Sequence, residues 1–222
     1  MAIFRKIPKT SFSYENRKVS RTCSTLLKGL QNRFKVHFVL QRLNKWKEEC
    51  LPKTLKPLIR PHGLIEITKT FGDINKSVKQ IKDGTLTLDP AFGDKNIICI
   101  KLPYKLKLAW DHNKHISSIK CHLLVAERFR SVFDEILEQG LNSKAYYFGG
   151  CFDFRQKRNG ASLSTHAWGI AIDLNPETNR YGTSGDMAPE IVEIFKTFGF
   201  IWGGDWKGKM CDPMHFQYCD GY

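Results

Sequence analysis

The amino-acid sequence predicts an α+β fold in which helices flank an antiparallel sheet. Apolar residues recur at helical spacing in well-separated segments, and short β-branched or alternating stretches lie between and after them. No internal repeat or low-complexity tract is present. The 222 residues are 41% hydrophobic and 26% charged, which is typical of a globular protein with a core and excludes a wholly disordered chain.

The net charge of +13 is concentrated at the start of the chain. Residues 1–60 hold 15 of the 35 Lys and Arg but only 3 of the 22 Asp and Glu, a local charge of +12. Apolar residues every four positions over 26–38 predict a helix there. Because the prolines that follow disfavour helix, we expect a basic extension and linker over residues 1–61 and a separate domain over residues 62–222.

Three helices are predicted in the second domain. The segment GLIEITKTFG predicts a short helix that ends at Gly72. The strongest helical pattern covers residues 118–139, with Gly140 as the stop. The third helix has Pro189 in its first turn and ends at Gly199.

Strands are predicted in the segments between the helices and at the end of the chain. NIICIKLPYKLKLAW has the character of one or two strands interrupted at Pro103, and FIWGGDW and MHFQY regain strand character around glycine-rich turns. In LSTHAWGIAIDLNP, Gly169, the branched isoleucines and Pro176 oppose helix, so a loop followed by a strand is expected.

Two short strands are each expected to place polar side chains on one face. Strand alternation puts Asp173 beside the small Ala171, and a bend at Gly169 lets His166 return to the same side. Near the end of the chain, alternation puts His215 and Gln217 on one face.

His166, Asp173 and His215 form a three-ligand set suited to Zn²⁺, with a fourth position left for water. Zinc lowers the pKa of such a water to about 7, and Asp212, three residues before His215, could accept its proton. The His166–Asp173 pair and the Asp212–His215 pair are each weak evidence for a metal site on their own, because a histidine with a purely structural role is the more common explanation. The combination is more specific than either pair.

STHAWGIAID, WGGDW and DPMHFQ, in this order and spacing, resemble the zinc peptidases of bacterial cell walls. These include D-alanyl-D-alanine dipeptidases and carboxypeptidases and phage L-alanyl-D-glutamate endopeptidases, and their fold is shared with the hedgehog signalling domain. The resemblance covers about residues 63–222. It implies a hedgehog-like domain with one zinc ion on His166, Asp173 and His215, and with Asp212 as the general base.

The resemblance also implies roles for other residues. Arg155, which follows GGCFDF, would bind the substrate carbonyl or carboxylate, with Arg158 as the alternative. Ser164 would hydrogen-bond near the metal or cap the loop. Asp205 and Trp206 would support the site or contact substrate, or serve only in the turn and in packing.

The implied function is hydrolysis of an amide bond in the stem peptides of peptidoglycan, as a phage-type lysin or a delivered effector, and the bond is left open. The start of the chain lacks the apolar core of a secretory signal, and no run approaches about 18 apolar residues. We therefore expect synthesis in the cytoplasm, no transmembrane segment, and release to the wall by lysis or a delivery machine. The alternative is a non-catalytic, zinc-containing binding module of hedgehog-like fold that attaches to a polyanion through its basic arm.

The basic extension over residues 1–60 allows three interpretations: a solvated extension, an attachment to a polyanion such as an anionic wall polymer, or an address tag. Nucleic acid is not expected as a partner. The excess positive charge lies outside the domain that carries the organised motifs, and no signature of a nucleic-acid-binding fold is present. The seven cysteines are scattered without a CxxC pair, which predicts free thiols. A disulfide between Cys211 and Cys219 is the alternative, and Cys151 and Cys211 lie close in sequence to expected functional residues, where they could oxidise or compete for metal.

Overall fold

The structure is a computed structural model that describes residues 57–80, 86–157 and 160–222. Leu51–Tyr222 form one compact unit, which contains all of the described residues. The helix expected over residues 26–38 and Arg158 lie outside the described residues.

Four α-helices and eight β-strands are present in the described part of the chain. The helices are α1 (Gly63–Phe71), α2 (Pro90–Asn96), α3 (Ala126–Glu138) and α4 (Pro189–Thr197). The strands are β1 (Val78–Gln80), β2 (Leu86–Leu88), β3 (Ile97–Leu108), β4 (Asp111–His122), β5 (Tyr147–Gly150), β6 (Ala171–Leu174), β7 (Ile201–Trp202) and β8 (His215–Gln217).

Six of these strands form one sheet in the order β4-β3-β5-β6-β8-β7, while β1 and β2 pair separately. The predicted α+β class is confirmed, with one difference in strand direction. β5 runs parallel to β3, and the other pairs are antiparallel. Parallel neighbours need a long connection, which β4 and α3 supply here.

The helix predicted over residues 118–139 is wrong in its first third. Residues 118–122 belong to β4, where Ser118–His122 pair with Ile97–Lys101 of β3, and the helix begins at Ala126. Ile119 and Cys121 alternate toward the core, which is the two-residue period of a strand. The apolar residues at positions 119 and 123 fit a helical spacing equally well, so long-range pairing decided the conformation.

The other elements predicted within residues 62–222 are confirmed, although the third helix ends at Thr197 and not at Gly199. α1 is followed by Gly72, and α4 carries Pro189 in its first turn. β3 continues through Pro103, but its pairing with β4 is irregular between Lys101 and Leu106, as expected for a proline within a strand.

The core lies between the sheet and helices α3 and α4. Phe216 of β8 stacks on Phe195 of α4 with ring centroids 4.0 Å apart, and Phe129 of α3 lies 4.8 Å from Phe200. Because side chains alternate along a strand and Phe216 faces the core, its neighbours His215 and Gln217 point to the opposite face of the sheet. That face carries the candidate site. No helix in the described ranges is long and apolar enough to cross a membrane.

Residues just before α1 are attached to the end of the chain. The Tyr218 hydroxyl donates to the carbonyl of Leu58 at 2.7 Å, and the Gly63 amide donates to the carbonyl of Asp220 at 2.7 Å. Arg60 donates to the carbonyl of Gly199 at 3.0 Å. A shortened chain that keeps these contacts must therefore include residue 58.

Candidate metal and active site

A tight turn before β6 positions His166. Ser164 caps this 3₁₀ turn, Thr165–Trp168, by accepting a hydrogen bond from the His166 amide at 3.4 Å. Gly169 ends the turn with φ 67°, and a Cβ there would lie 2.9 Å from the backbone nitrogen of His122. Both the left-handed conformation and the close approach require glycine. The bend predicted at Gly169 is thus present.

The register of β6 against β8 brings the other two candidate ligands together. Asp173 lies directly opposite His215, and Ala171 lies opposite Gln217. Residues that face each other across an antiparallel pair point to the same side of the sheet. The predicted faces of the two strands are therefore confirmed.

Three potential ligand atoms converge at this point. His215 Nδ1 lies 2.8 Å from Asp173 Oδ1, and His166 Nε2 lies 3.2 Å from both of these atoms. Two ligands bound to zinc at about 2.0–2.1 Å and at the tetrahedral angle lie about 3.3 Å apart. The donor types and their spacing both fit a zinc ion.

The outward-facing ring nitrogens identify which nitrogen of each histidine carries a proton. His166 Nδ1 lies 2.7 Å from the carbonyl oxygen of Cys151, which can only accept, so Nδ1 carries the proton. His215 Nε2 lies 3.1 Å from Gln217 Oε1, and the Gln217 amide nitrogen donates to the carbonyl of Cys219. That donation assigns the oxygen of Gln217 to His215, so Nε2 is the protonated nitrogen.

With these tautomers, three acceptors face one another at the centre: His166 Nε2, His215 Nδ1 and one oxygen of Asp173. All three residues are buried. Burial raises the pKa of Asp173. In the absence of a metal ion, however, the positive charge and the donated hydrogen bonds of His166 and His215, once these imidazoles take up a proton, outweigh burial and hold this pKa well below its usual range. Facing acceptors without a proton between them are stabilised by a cation, which is the arrangement of a metal site.

Asp212 lines the same cavity and is placed by the WGGDW turn. Its amide donates to the carbonyl of Gly203 at 2.9 Å, and its carbonyl accepts from the amide of His215 at 3.0 Å. A Cβ on Gly203 would lie 2.5 Å from the Asp212 carbonyl oxygen, so only glycine fits behind it. Burial opposes protonation of His215, but Asp173 and then Asp212 raise the pKa of His215. The Asp212 carboxylate therefore acts electrostatically on the predicted ligand His215.

A cavity of about 680 Å³ opens onto these groups. Its lining includes Arg155 and Lys157 and a set of apolar or aromatic side chains: Tyr181, Ile201, Trp206, Met210 and Met214. The guanidinium of Arg155 bonds Asp153 through Nε at 3.1 Å and the carbonyl of Gln156 through Nη1 at 3.3 Å. The cavity thus offers cations and apolar surface beside the candidate ligands.

The remaining predicted residues have separate positions. Ser164 lines the cavity and caps the turn, and Trp206 lines the cavity with its ring centroid 5.6 Å from that of His215. Asp205 does not line the cavity; its carboxylate pairs with Lys196 at 2.7 Å on the surface. Arg158 lies outside the described residues.

The described cysteines are free thiols. Cys211 and Cys219 are both unbridged, and the Cys211 sulfur donates to the carbonyl of Gly204 at 3.6 Å. Burial raises the pKa of the Cys151 thiol well above its usual value, and its carbonyl is the group that contacts His166. The Cys151 thiol therefore stays protonated and is a poor competitor for metal.

Sequence reasoning missed two contributors to the site, Thr165 and Lys157. The Thr165 hydroxyl lies 3.3 Å from His215 Nε2 and donates to Gln217 Oε1 at 3.2 Å. Gln217 was placed on the His215 face, but no role followed from that. Alternation along the strand identifies Gln217 as a neighbour of the ligand, whereas nothing in the sequence places Thr165 or Lys157.

Two comparisons with known proteins found similar sequences. A family model described as D-alanyl-D-alanine carboxypeptidase matches residues 157–218. The peptidoglycan L-alanyl-D-glutamate endopeptidase CwlK of Bacillus subtilis (strain 168) is 34% identical in an alignment 110 residues long, which covers 43% of this chain. The match spans 59% of that relative, less than two thirds of its length. The predicted resemblance is confirmed: the segment that carries His166, Asp173, Asp212 and His215 is related in sequence to the D-alanyl-D-alanine carboxypeptidase family.

Proposed function

We propose that this protein is a zinc-dependent peptidase that hydrolyses an amide bond in the stem peptides of peptidoglycan. The observation that carries the proposal is the convergence of His166, Asp173 and His215 at 2.8–3.2 Å in a cavity that Asp212 also lines. Two imidazoles and one carboxylate are the ligand set of catalytic zinc, which keeps a coordination position open. The matching family model is described as D-alanyl-D-alanine carboxypeptidase, and the B. subtilis relative is named a peptidoglycan L-alanyl-D-glutamate endopeptidase.

His166, Asp173 and His215 would hold the ion, and Asp212 would handle the proton. A bound zinc ion would polarise the scissile carbonyl and acidify a water molecule. In this assignment Asp212 accepts a proton from the attacking water and delivers it to the leaving amine. Because Gly203 has no side chain, the backbone of Asp212 packs against the WGGDW turn, and a hydrogen bond between the two residues holds it there.

Arg155 is the proposed partner of the developing oxyanion. Its Nε and one terminal nitrogen are already bonded, which holds the guanidinium plane in place at the cavity wall. A pre-positioned cation stabilises the oxyanion without reorganisation during the reaction. Trp206 and Met214 would exclude water from the same cavity.

The experiment is hydrolysis of purified peptidoglycan fragments by the full chain, with and without one equivalent of zinc. We expect turnover that is lost after chelation and restored by zinc, and that is lost in Asp212→Asn but retained in Asp205→Asn. The second variant removes the same charge from a surface ion pair outside the cavity. A zinc-loaded parent that cleaves no wall fragment would favour the binding-module alternative.

Mass analysis of the products decides which bond is cut. Release of free D-alanine identifies a D-alanyl-D-alanine carboxypeptidase, whereas cleavage next to the first L-alanine identifies an L-alanyl-D-glutamate endopeptidase. The two activities share the metal chemistry and differ in pocket shape. The family description names the first activity and the B. subtilis relative the second.

We further propose that the chain acts at the cell wall after release from the cytoplasm, and that residues 1–60 attach it to anionic wall polymers. The support is their charge of +12, which attracts polyanions with strong salt dependence. The test compares wall binding of the full chain with that of residues 51–222, which retain the contacts of Leu58. Equal binding at all salt concentrations would refute an attachment role.

A further inference from the structure

Lys157 is a half-buried cation in the wall of the cavity. Its ammonium lies 3.8 Å from the ring centroid of Tyr222, a distance suited to a cation–π contact. The Lys157 amide donates to the carbonyl of Ser162 at 2.9 Å, and the Tyr222 hydroxyl donates to the carbonyl of Leu163 at 2.8 Å. Both the backbone of Lys157 and the ring beneath its ammonium are therefore fixed.

The charge of Lys157 is not neutralised within the described part of the chain. No described carboxylate lies within 4.0 Å of its ammonium, whereas Arg155, two residues earlier, is paired with Asp153. Burial lowers the pKa of Lys157, because desolvation disfavours the charged form. An anion bound in the cavity would offset this desolvation. Lys157 is more available to such an anion than Arg155, because Arg155 is already paired with Asp153.

We propose that Lys157 binds a substrate carboxylate, and that this group is the free carboxylate of the D-glutamyl residue on the leaving side of the scissile amide. The inference rests on the proposed function, and of the two candidate linkages it takes L-alanyl-D-glutamate, the one named for the B. subtilis relative. In that linkage the glutamyl nitrogen belongs to the scissile amide. One of the two carboxyl groups of the D-glutamyl residue continues the stem peptide. The other lies beside the cleaved bond and is either a free carboxylate or an amide.

The cavity has the composition that such a substrate requires. The cations Arg155 and Lys157 suit the oxyanion and the carboxylate, and apolar side chains such as Met210 and Tyr181 suit the alanyl side. A lysine ammonium binds a carboxylate as a point charge, so an amide in place of the carboxylate loses most of the attraction. Lys157 would therefore discriminate the acid form of the stem from the amidated form.

The test measures kcat/KM of the zinc-loaded full chain on two stem peptides that differ only in this group, D-glutamate or its α-amide, D-isoglutamine. We expect the parent to prefer the acid. In Lys157→Met the ratio of acid to amide kcat/KM should fall about 10- to 100-fold, the range for a hydrogen bond to a charged group. Lys157→Arg should retain most of the preference. Lys120→Met, which removes an exposed lysine of β4 outside the cavity, is the matched control.

An unchanged ratio in Lys157→Met, or an equal fall in Lys120→Met, overturns the proposal. A parent that cleaves neither peptide refutes the endopeptidase activity, and the carboxylate site is then tested by calorimetry with the same peptides on the zinc-loaded chain. Tighter binding of the acid by the parent, with the preference lost in Lys157→Met, supports the site. Equal binding of the acid and the amide refutes it.

Discussion

Two regions of this domain bury histidine for different reasons. At the end of β4, His122 Nε2 lies 3.1 Å from the carbonyl of Phe71, and Nδ1 accepts from the amide of Leu124 at 3.2 Å. At the β6–β8 pair, His166 and His215 each have one ring nitrogen bonded outward and the other turned toward Asp173. All three rings are buried, yet of these two regions only the second turns the unprotonated nitrogen of each ring toward another acceptor.

The comparison teaches that burial does not distinguish a structural histidine from a candidate ligand. His122 forms one bond as donor and one as acceptor, which satisfies a neutral imidazole completely. His166 and His215 use their protons on outer partners, so their remaining lone pairs need a cation. The donors and acceptors around each ring therefore distinguish the structural histidine from the two candidate ligands.

The largest expected difference comes from removing one histidine in each region. His166→Gln should abolish zinc binding and hydrolysis, because it removes one of three protein ligands. His122→Leu should leave zinc stoichiometry unchanged but lower the free energy of unfolding by about 2–3 kcal/mol, because the groups of Phe71 and Leu124 lose their partner. Metal analysis and urea unfolding measure the two effects, and loss of zinc in His122→Leu would contradict the distinction.

Asp212→Asn tests whether the metal and the proton chemistry are separate. We expect zinc binding to persist and kcat to fall about 10²- to 10⁴-fold, the usual contribution of a general base. Single-turnover kinetics on zinc-loaded protein measure the effect. Full activity with bound zinc would show that another group accepts the proton.

A smaller effect is expected from the outer partner of His215. Gln217→Met removes the acceptor at Nε2 and should weaken zinc affinity about 10- to 100-fold, as is usual for such partners. Gln217→Glu keeps an acceptor and should retain tight binding. Competition with a chromophoric chelator measures the affinity, and equal affinity in both variants and the parent would remove Gln217 from the site.

The smallest expected effect is a pH dependence of stability at His122. Burial lowers its pKa from 6.5 to about 4, so the unfolded chain binds a proton that the folded chain excludes. This contribution is fully present above the unfolded pKa and is lost as pH falls toward 4. Between about pH 7 and pH 5.5 the parent should lose about 1 kcal/mol from this group, and His122→Leu should not. Urea unfolding of zinc-free protein at both pH values gives the difference, and equal losses would contradict it.

Local patterns predicted the parts of the fold that depend on neighbouring residues. α1 ends before Gly72 and α4 begins at Pro189, as predicted, and the bend at Gly169 follows from the residue type. The start of α3 was misplaced because the residues before it fit two periods, and pairing with β3 selected the strand. Similarly, the parallel neighbour of β3 depends on a connection that no local pattern specifies.

The sequence by itself determined which chemical groups are available and, through strand alternation, that Asp173 shares a face of its strand with Ala171 and that His215 shares a face of its own strand with Gln217. Alternation is a local property of the extended backbone and can be read from consecutive residues. Only the tertiary structure decided that β6 and β8 pair with Asp173 opposite His215, that Asp205 faces the surface, and that Lys157 enters the cavity over Tyr222. These positions depend on contacts between residues far apart in the chain, which burial and hydrogen bonding settle only when the whole domain has folded.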